Sequence, residues 1–148
     1  MTEQRPHSVS VAGIVVNDEG KVLVIRRRDN NRWEPPGGIL EAGETFEQGV
    51  RREVHEETGF WVNVDRLTGV YKNMSRLIVA LVFQCTLEAG SISTSDESRE
   101  VCWMTIDQVK QAMTPAYAIR VIDGIQRHGV RTRAHDGVDL RDGYSSGR

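Results

Sequence analysis

Six glutamates crowd the stretch Gly38 to Phe60, GILEAGETFEQGVRREVHEETGF, and three of them, Glu53, Glu56 and Glu57, are spaced E-x-x-E-E. A helix advances about 100° per residue, so side chains three and four apart share a face. The spacing therefore predicts three carboxylates on one arc of a single helix. Like charges so placed repel and weaken the helix. A divalent cation would neutralise them, and hard ions such as Mg²⁺ take carboxylate oxygens together with phosphate. The chemistry this suggests is hydrolysis of a phosphoanhydride. A cation screens the phosphate charge and acidifies water, and a glutamate accepts its proton. No nucleophilic Ser or Cys motif is present, which favours direct attack by water on phosphorus over a covalent intermediate.

The elements that must position these carboxylates are legible around them. Thr45 and Gln48 form a capping box at the start of the helix, and Gly59 suits its end. Phe46, Val50 and Val54 recur by fours and are its expected core contacts. Val9–Val16 and Lys21–Ile25 read as a strand pair joined by the turn Asn17-Asp18-Glu19-Gly20. Pro35-Pro36-Gly37-Gly38 excludes helix or central strand. Val62–Leu67 reads as a strand, with Thr68–Tyr71 another short one or its continuation; Leu77–Leu87 and Val101–Met104 read as further strands, Ala89-Gly90 as a turn and Ser91–Glu100 as a polar loop. Thr105 with Gln108 caps a second helix, and Thr114-Pro115 opens a third that ends at His128-Gly129. Strands interrupted early by one helix and followed late by two predict an α/β fold with a mixed sheet, an α/β/α sandwich. The expected organisation is an extension over 1–7, one domain over 8–128 and a mobile tail over 129–148, which lacks apolar periodicity.

The spacing is also specific. Gly38, Glu44, Arg52, Glu53, Val54, Glu56, Glu57, Gly59 and Phe60 fill every fixed position of G-x5-E-x7-R-E-U-x-E-E-x-G-U, with U a bulky apolar residue. This segment resembles the box of the Nudix hydrolases without a departure, and Trp33-Glu34-Pro35-Pro36-Gly37-Gly38 matches the run common before it. The resemblance implies the same sandwich over roughly residues 8–128. It also implies that Glu53, Glu56 and Glu57 bind Mg²⁺, with Mn²⁺ as a substitute, against the substrate's diphosphate. The Gly37 carbonyl would be a further metal ligand, and an Arg52–Glu44 pair would tie loop to helix. Family members often carry an acidic residue in the loop before a Trp-ending strand. Glu97 and Glu100 both qualify, and Glu97 is preferred because Glu100 abuts the strand. The base is then Glu53 or Glu97.

Arg26, Arg28, Lys72 and Arg76 suit phosphate, and Tyr71 suits the face of a base. The proline of the ADP-ribose hydrolases is absent, since no Pro lies between Pro36 and Pro115; nor does the NADH subfamily's Ser-Gln-Pro-Trp run occur. The downstream tyrosine of dinucleoside polyphosphate hydrolases is replaced by Leu77. By elimination, a nucleoside triphosphate or similar small nucleotide is the expected substrate. The alternatives are a nucleotide sensor of the same fold without catalysis and a pyrophosphohydrolase of RNA 5′ ends. A net charge of −2 gives no electrostatic footprint for nucleic acid, which is not an expected partner. No apolar run is long enough to span a bilayer, and MTEQRPHS has no signal-peptide core, so a cytoplasmic protein without a membrane partner is expected. Cys85 and Cys102 are expected as reduced core residues. A homodimer is left open.

Overall fold

A computed structural model describes residues 4–141 of the 148. The parts of the expected extension and mobile tail at 1–3 and 142–148 lie outside the described residues. In chain order come β1 (Ser8–Val16), β2 (Val22–Arg27), β3 (Trp33–Glu34), β4 (Gly37–Ile39), α1 (Phe46–Thr58), β5 (Phe60–Asn73) and β6 (Ile78–Gly90). Then follow β7 (Ser98–Met104), α2 (Ile106–Ala112), α3 (Pro115–Gly124), β8 (Arg131–His135) and β9 (Leu140–Arg141). The strands run β3-β2-β1-β6-β5-β8-β9, with β4 on β1 and β7 on β2. The sheet is mixed: β1 is parallel to β6, and β6 is antiparallel to β5.

Strand alternation sends successive side chains to opposite faces, and two cores result. Val11 and Val15 of β1 join Leu23 and Ile25 of β2 on one face, where Val50 and Val54 of α1 cover them. Ile14, Val22 and Val24 face the other way, beneath Val109 of α2 and Ala118 and Val121 of α3. Sheet between helices is the expected α/β/α sandwich. Val50 and Val54 are fully buried, each contributing about 1.5–3 kcal/mol of apolar burial. Phe46, expected beside them, is 44% exposed, because it opens the helix at the rim of the sheet. Both capping boxes are present, and Gly59 closes α1 in the left-handed region. Both cysteines are free. No helix among the described residues is long and apolar enough to cross a membrane.

Thr68–Tyr71 continues Val62–Leu67 in one long strand, β5, with register shifts along it. Other elements differ from expectation: Ala89-Gly90 lies within β6, and Ser98–Glu100, expected as loop, lies within β7. The third helix ends at Gly124 rather than His128. Most consequentially, the expected mobile tail contains sheet: β8 lies parallel to β5 from Gly69↔Arg131 to Asn73↔His135, and β9 folds back on it. The strand carries few apolar residues because polar anchors hold it. Arg133 donates twice to Asp123, at 2.8 Å each, and His135 is fully buried. Asp123 also accepts from the Tyr71 hydroxyl at 2.7 Å.

Candidate active site

The box helix reaches the sheet through β4. Gly38 stands opposite Val11 of β1 and Gly37 opposite Ala12. A Cβ on Gly38 would lie 1.7 Å from Glu53 Oε2 and one on Gly37 2.4 Å from the Val11 carbonyl oxygen. Gly38 must therefore be bare for the Glu53 carboxylate to enter, and Gly37 for β4 to approach β1. Glu53 and Glu57, one helical turn apart, are 6% and 2% exposed. The Gly37 amide donates to Glu57 Oε1 at 2.8 Å. Ser98, at the start of β7, donates its hydroxyl to the Glu57 carbonyl at 2.8 Å and ties the preceding loop to the helix.

Arg52 organises the rim. It donates through Nη2 to Glu44 Oε1 at 2.9 Å and to the Ile39 carbonyl at 3.2 Å. Its Nη1 lies 3.2 Å from Glu53 and 3.3 Å from Glu56. The expected Arg52–Glu44 pair is thus formed, and the hydrogen bonds from Arg52 hold the Glu44 carboxyl down at about 2.

Electrostatics single out the inner pair. Burial pushes Glu53 up to about 7, with the charges of Glu97 and Glu56 adding and Arg52 opposing. Burial likewise pushes Glu57 up to about 8, reinforced by Glu53, Glu97 and Glu34 and opposed by the Gly37 amide. Two desolvated carboxylates in mutual repulsion form a site that a cation would relieve. An all-oxygen donor set fits a hard divalent ion. The three box glutamates do not, however, share one inward arc. Glu56 is exposed and turned onto Arg52, because the i, i+4 ion pair holds it outside. Among the described residues no three acidic, His or Cys side chains already form a ligand cage. Glu97 is exposed on its loop, where the Arg28 amide donates to its carbonyl at 3.0 Å, yet its charge reaches both inner glutamates. Glu100 is instead paired with Arg26 at 3.1 Å.

A cleft of about 650 Å³ opens beside Gly37 and Gly38. Of the residues expected to bind substrate, only Arg76 lines it. Arg26 is spent on Glu100 and stacks on Trp33, 5.6 Å from the ring centroid. Arg28 donates to the Ser95 carbonyl. Lys72 sits half-buried within β5. Tyr71 is fully buried on Asp123 and cannot present its ring to a base; the inward register of β5 overrides its chemistry. The cleft instead presents Arg27, Arg32, Arg120, Tyr117 and His135. Sequence spacing gave no signal for these, because the cleft is assembled from β2, α3 and the unforeseen β8.

Comparison with known proteins places this geometry. The model of the NUDIX domain matches residues 6–123. A MutT-like protein of Streptomyces ambofaciens is 56% identical over 134 residues, 90% of this chain and 87% of that protein. An ADP-ribose pyrophosphatase of Methanocaldococcus jannaschii is 36% identical over 100 residues, 63% of this chain and 59% of that protein. The crystal structure of a UDP-X diphosphatase matches with a TM-score of 0.73 and 25% identity, over 88% of this chain and 69% of that one. With its box intact and its two inner carboxylates lodged against Gly37 and Gly38, the chain belongs to the Nudix family and is a pyrophosphohydrolase of the Nudix type.

Proposed function

We propose that the protein cleaves a diphosphate linkage in a small nucleotide or another nucleoside diphosphate derivative, with Mg²⁺ as its cofactor and Mn²⁺ as a substitute. The observation that carries this is the Glu53–Glu57 pair, buried, mutually repelling and lodged behind Gly37 and Gly38, which line the cleft. Glu53 and Glu57 would hold the cation, joined by Glu56, Glu97 and the Gly37 carbonyl once a ligand draws them in. The bound cation would neutralise phosphate charge and acidify water. Arg52 positions Glu53, and the Gly37 amide orients Glu57. Glu53 or Glu97 accepts the proton of the attacking water. The nearness to a MutT-like protein supports a nucleoside triphosphate or similar small nucleotide as substrate, acted on in the cytoplasm.

A panel of nucleoside triphosphates, nucleoside diphosphate sugars and dinucleotides tests the proposal. Each is incubated with Mg²⁺, nucleotide products are separated by ion-exchange chromatography, and for the triphosphates phosphate is also assayed with and without added inorganic pyrophosphatase. The expected result is a nucleoside monophosphate released from at least one member, with pyrophosphate as coproduct for a triphosphate. Binding of nucleotides without cleavage of any would contradict the reading.

A further inference from the structure

Arg120 of α3 is 8% exposed and lines the cleft. It forms no ion pair among the described residues. Its Nε has no hydrogen-bond partner. The guanidinium lies between two aromatic rings, 5.1 Å from the centroid of Tyr71 and 4.5 Å from that of Tyr117. Stacking fixes its plane but does not compensate its charge. The nearest acidic influence, Glu34, is engaged with Arg27 at 3.4 Å, and burial pushes its carboxyl toward the neutral form.

Among the described residues the Arg120 guanidinium has one polar contact. Its Nη2 lies 3.1 Å from Nε2 of the fully buried His135. The other ring nitrogen, Nδ1, already accepts the Gly137 amide at 2.9 Å. A neutral imidazole accepts at one nitrogen and carries its proton on the other. Burial and the Arg120 charge hold His135 down at about 4, so the ring is neutral at pH 7. The ring can accept from only one of Arg120 Nη2 and the Gly137 amide; when the backbone-held Gly137 amide takes Nδ1, the proton sits on Nε2 and faces an Arg120 N–H. Two buried donors, one of them charged, meet with no acceptor between them. Such an arrangement is costly unless an acceptor is supplied, and an oxyanion would take charge-assisted bonds from both. Arg32 and Arg76 line the same cleft and add positive charge, which Asp136 beside His135 offsets in part and which Asp29 and Glu34, both paired with Arg27, oppose less.

We propose that Arg120 and His135 form an oxyanion subsite in the cleft, selecting nucleoside diphosphate derivatives that carry a second anionic group, a phosphate monoester or a carboxylate, outside the diphosphate linkage. The subsite's role in substrate choice rests on the hydrolase reading above, but its affinity for an anion can be read without turnover. In ¹⁵N-labelled full-length protein with EDTA, long-range ¹H–¹⁵N spectra report the His135 tautomer while inorganic phosphate is titrated. The expected result is an Nε2–H ring whose resonances move saturably with phosphate. Arg120→Met should abolish that movement, and Arg120→Lys, which keeps the charge, should weaken it. An Nδ1–H ring, or one unmoved by phosphate in the wild type, overturns the proposal without any variant.

Turnover then identifies the source of the anion. A nicotinamide dinucleotide with and without its 2′-phosphate compares a monoester with none, and UDP-glucuronate against UDP-glucose compares a carboxylate with none. The charged member of one pair should be preferred in kcat/KM by about tenfold or more, equivalent to about 1.4 kcal/mol, and Arg120→Met should erase the preference. Equal rates within both pairs would mark the phosphate as an adventitious ion only and overturn the proposal. Phosphate binding at His135 with no cleavage of any diphosphate would refute the hydrolase reading and support the subsite.

Discussion

Glu57→Gln is expected to lower kcat by orders of magnitude, because it removes a charge that would hold the cation, while the protein remains folded. The amide keeps the shape of the side chain, and its oxygen can still accept the Gly37 N–H. What disappears is the charge, which burial opposes in the folded protein. A carboxyl raised from 4.5 to about 8 holds its proton longer in the folded state than in the unfolded one. Its contribution to stability is therefore complete below about 4.5 and is lost as pH rises through 8. In cation-free buffer the melting temperature of Glu57→Gln should accordingly fall less than that of the wild type between these limits. Glu97→Gln should lower kcat more than it raises KM, the pattern of an interaction made mainly in the transition state. Glu100→Gln should leave the chemical step unchanged, because Glu100 is paired with Arg26. A near-wild-type kcat in Glu57→Gln with normal Mg²⁺ dependence would remove Glu57 from the chemistry, and a silent Glu97 beside a crippled Glu100 would exchange those two roles.

Truncation after Gly129 should destabilise the protein by about 3–5 kcal/mol, the cost of stripping one partner from a buried ion pair. That is a large part of an ordinary domain's stability of about 5–15 kcal/mol. The cut deletes β8 and with it the two Arg133 hydrogen bonds to Asp123, which is 4% exposed. It also opens the edge of β5 and removes His135 from the core. Arg133→Met, which leaves the strand in place, should shift denaturant unfolding in the same direction by less. Unfolding midpoints unchanged in both would mean that β8 adds nothing to the fold.

The site was legible where its chemistry is local. Nine constrained positions fall within one helix and its flanking turns, so spacing located Glu53 and Glu57, and the family resemblance implied the Arg52–Glu44 pair. The capping residues Thr45 and Thr105 were equally local, since each bond spans three residues. Legibility failed where position depends on remote partners. Glu56 shares the helical spacing, but its ion pair with Arg52 turns it outward. Tyr71 has the chemistry of a base-stacking residue, but the β5 register and Asp123 bury it. Arg120 lay unnoticed inside the apolar rhythm of Tyr117, Ala118 and Val121, because a buried guanidinium leaves no mark in hydropathy. The β8 strand was invisible for the same reason: Asp123 and Gly137, not apolar periodicity, anchor Arg133 and His135.

Hydrolysis is expected to need a divalent cation held by the buried Glu53–Glu57 pair. Turnover of the best panel substrate in EDTA and across a Mg²⁺ titration, with the melting temperature followed in parallel, tests this requirement. No turnover is expected in EDTA, with full recovery in Mg²⁺. A cation-dependent rise in melting temperature is expected as well, because the ion binds the folded pair and not the separated carboxylates of the unfolded chain. That rise should be lost in Glu57→Gln. Equal turnover with and without chelator, or a metal-induced rise that survives in Glu57→Gln, would contradict the requirement.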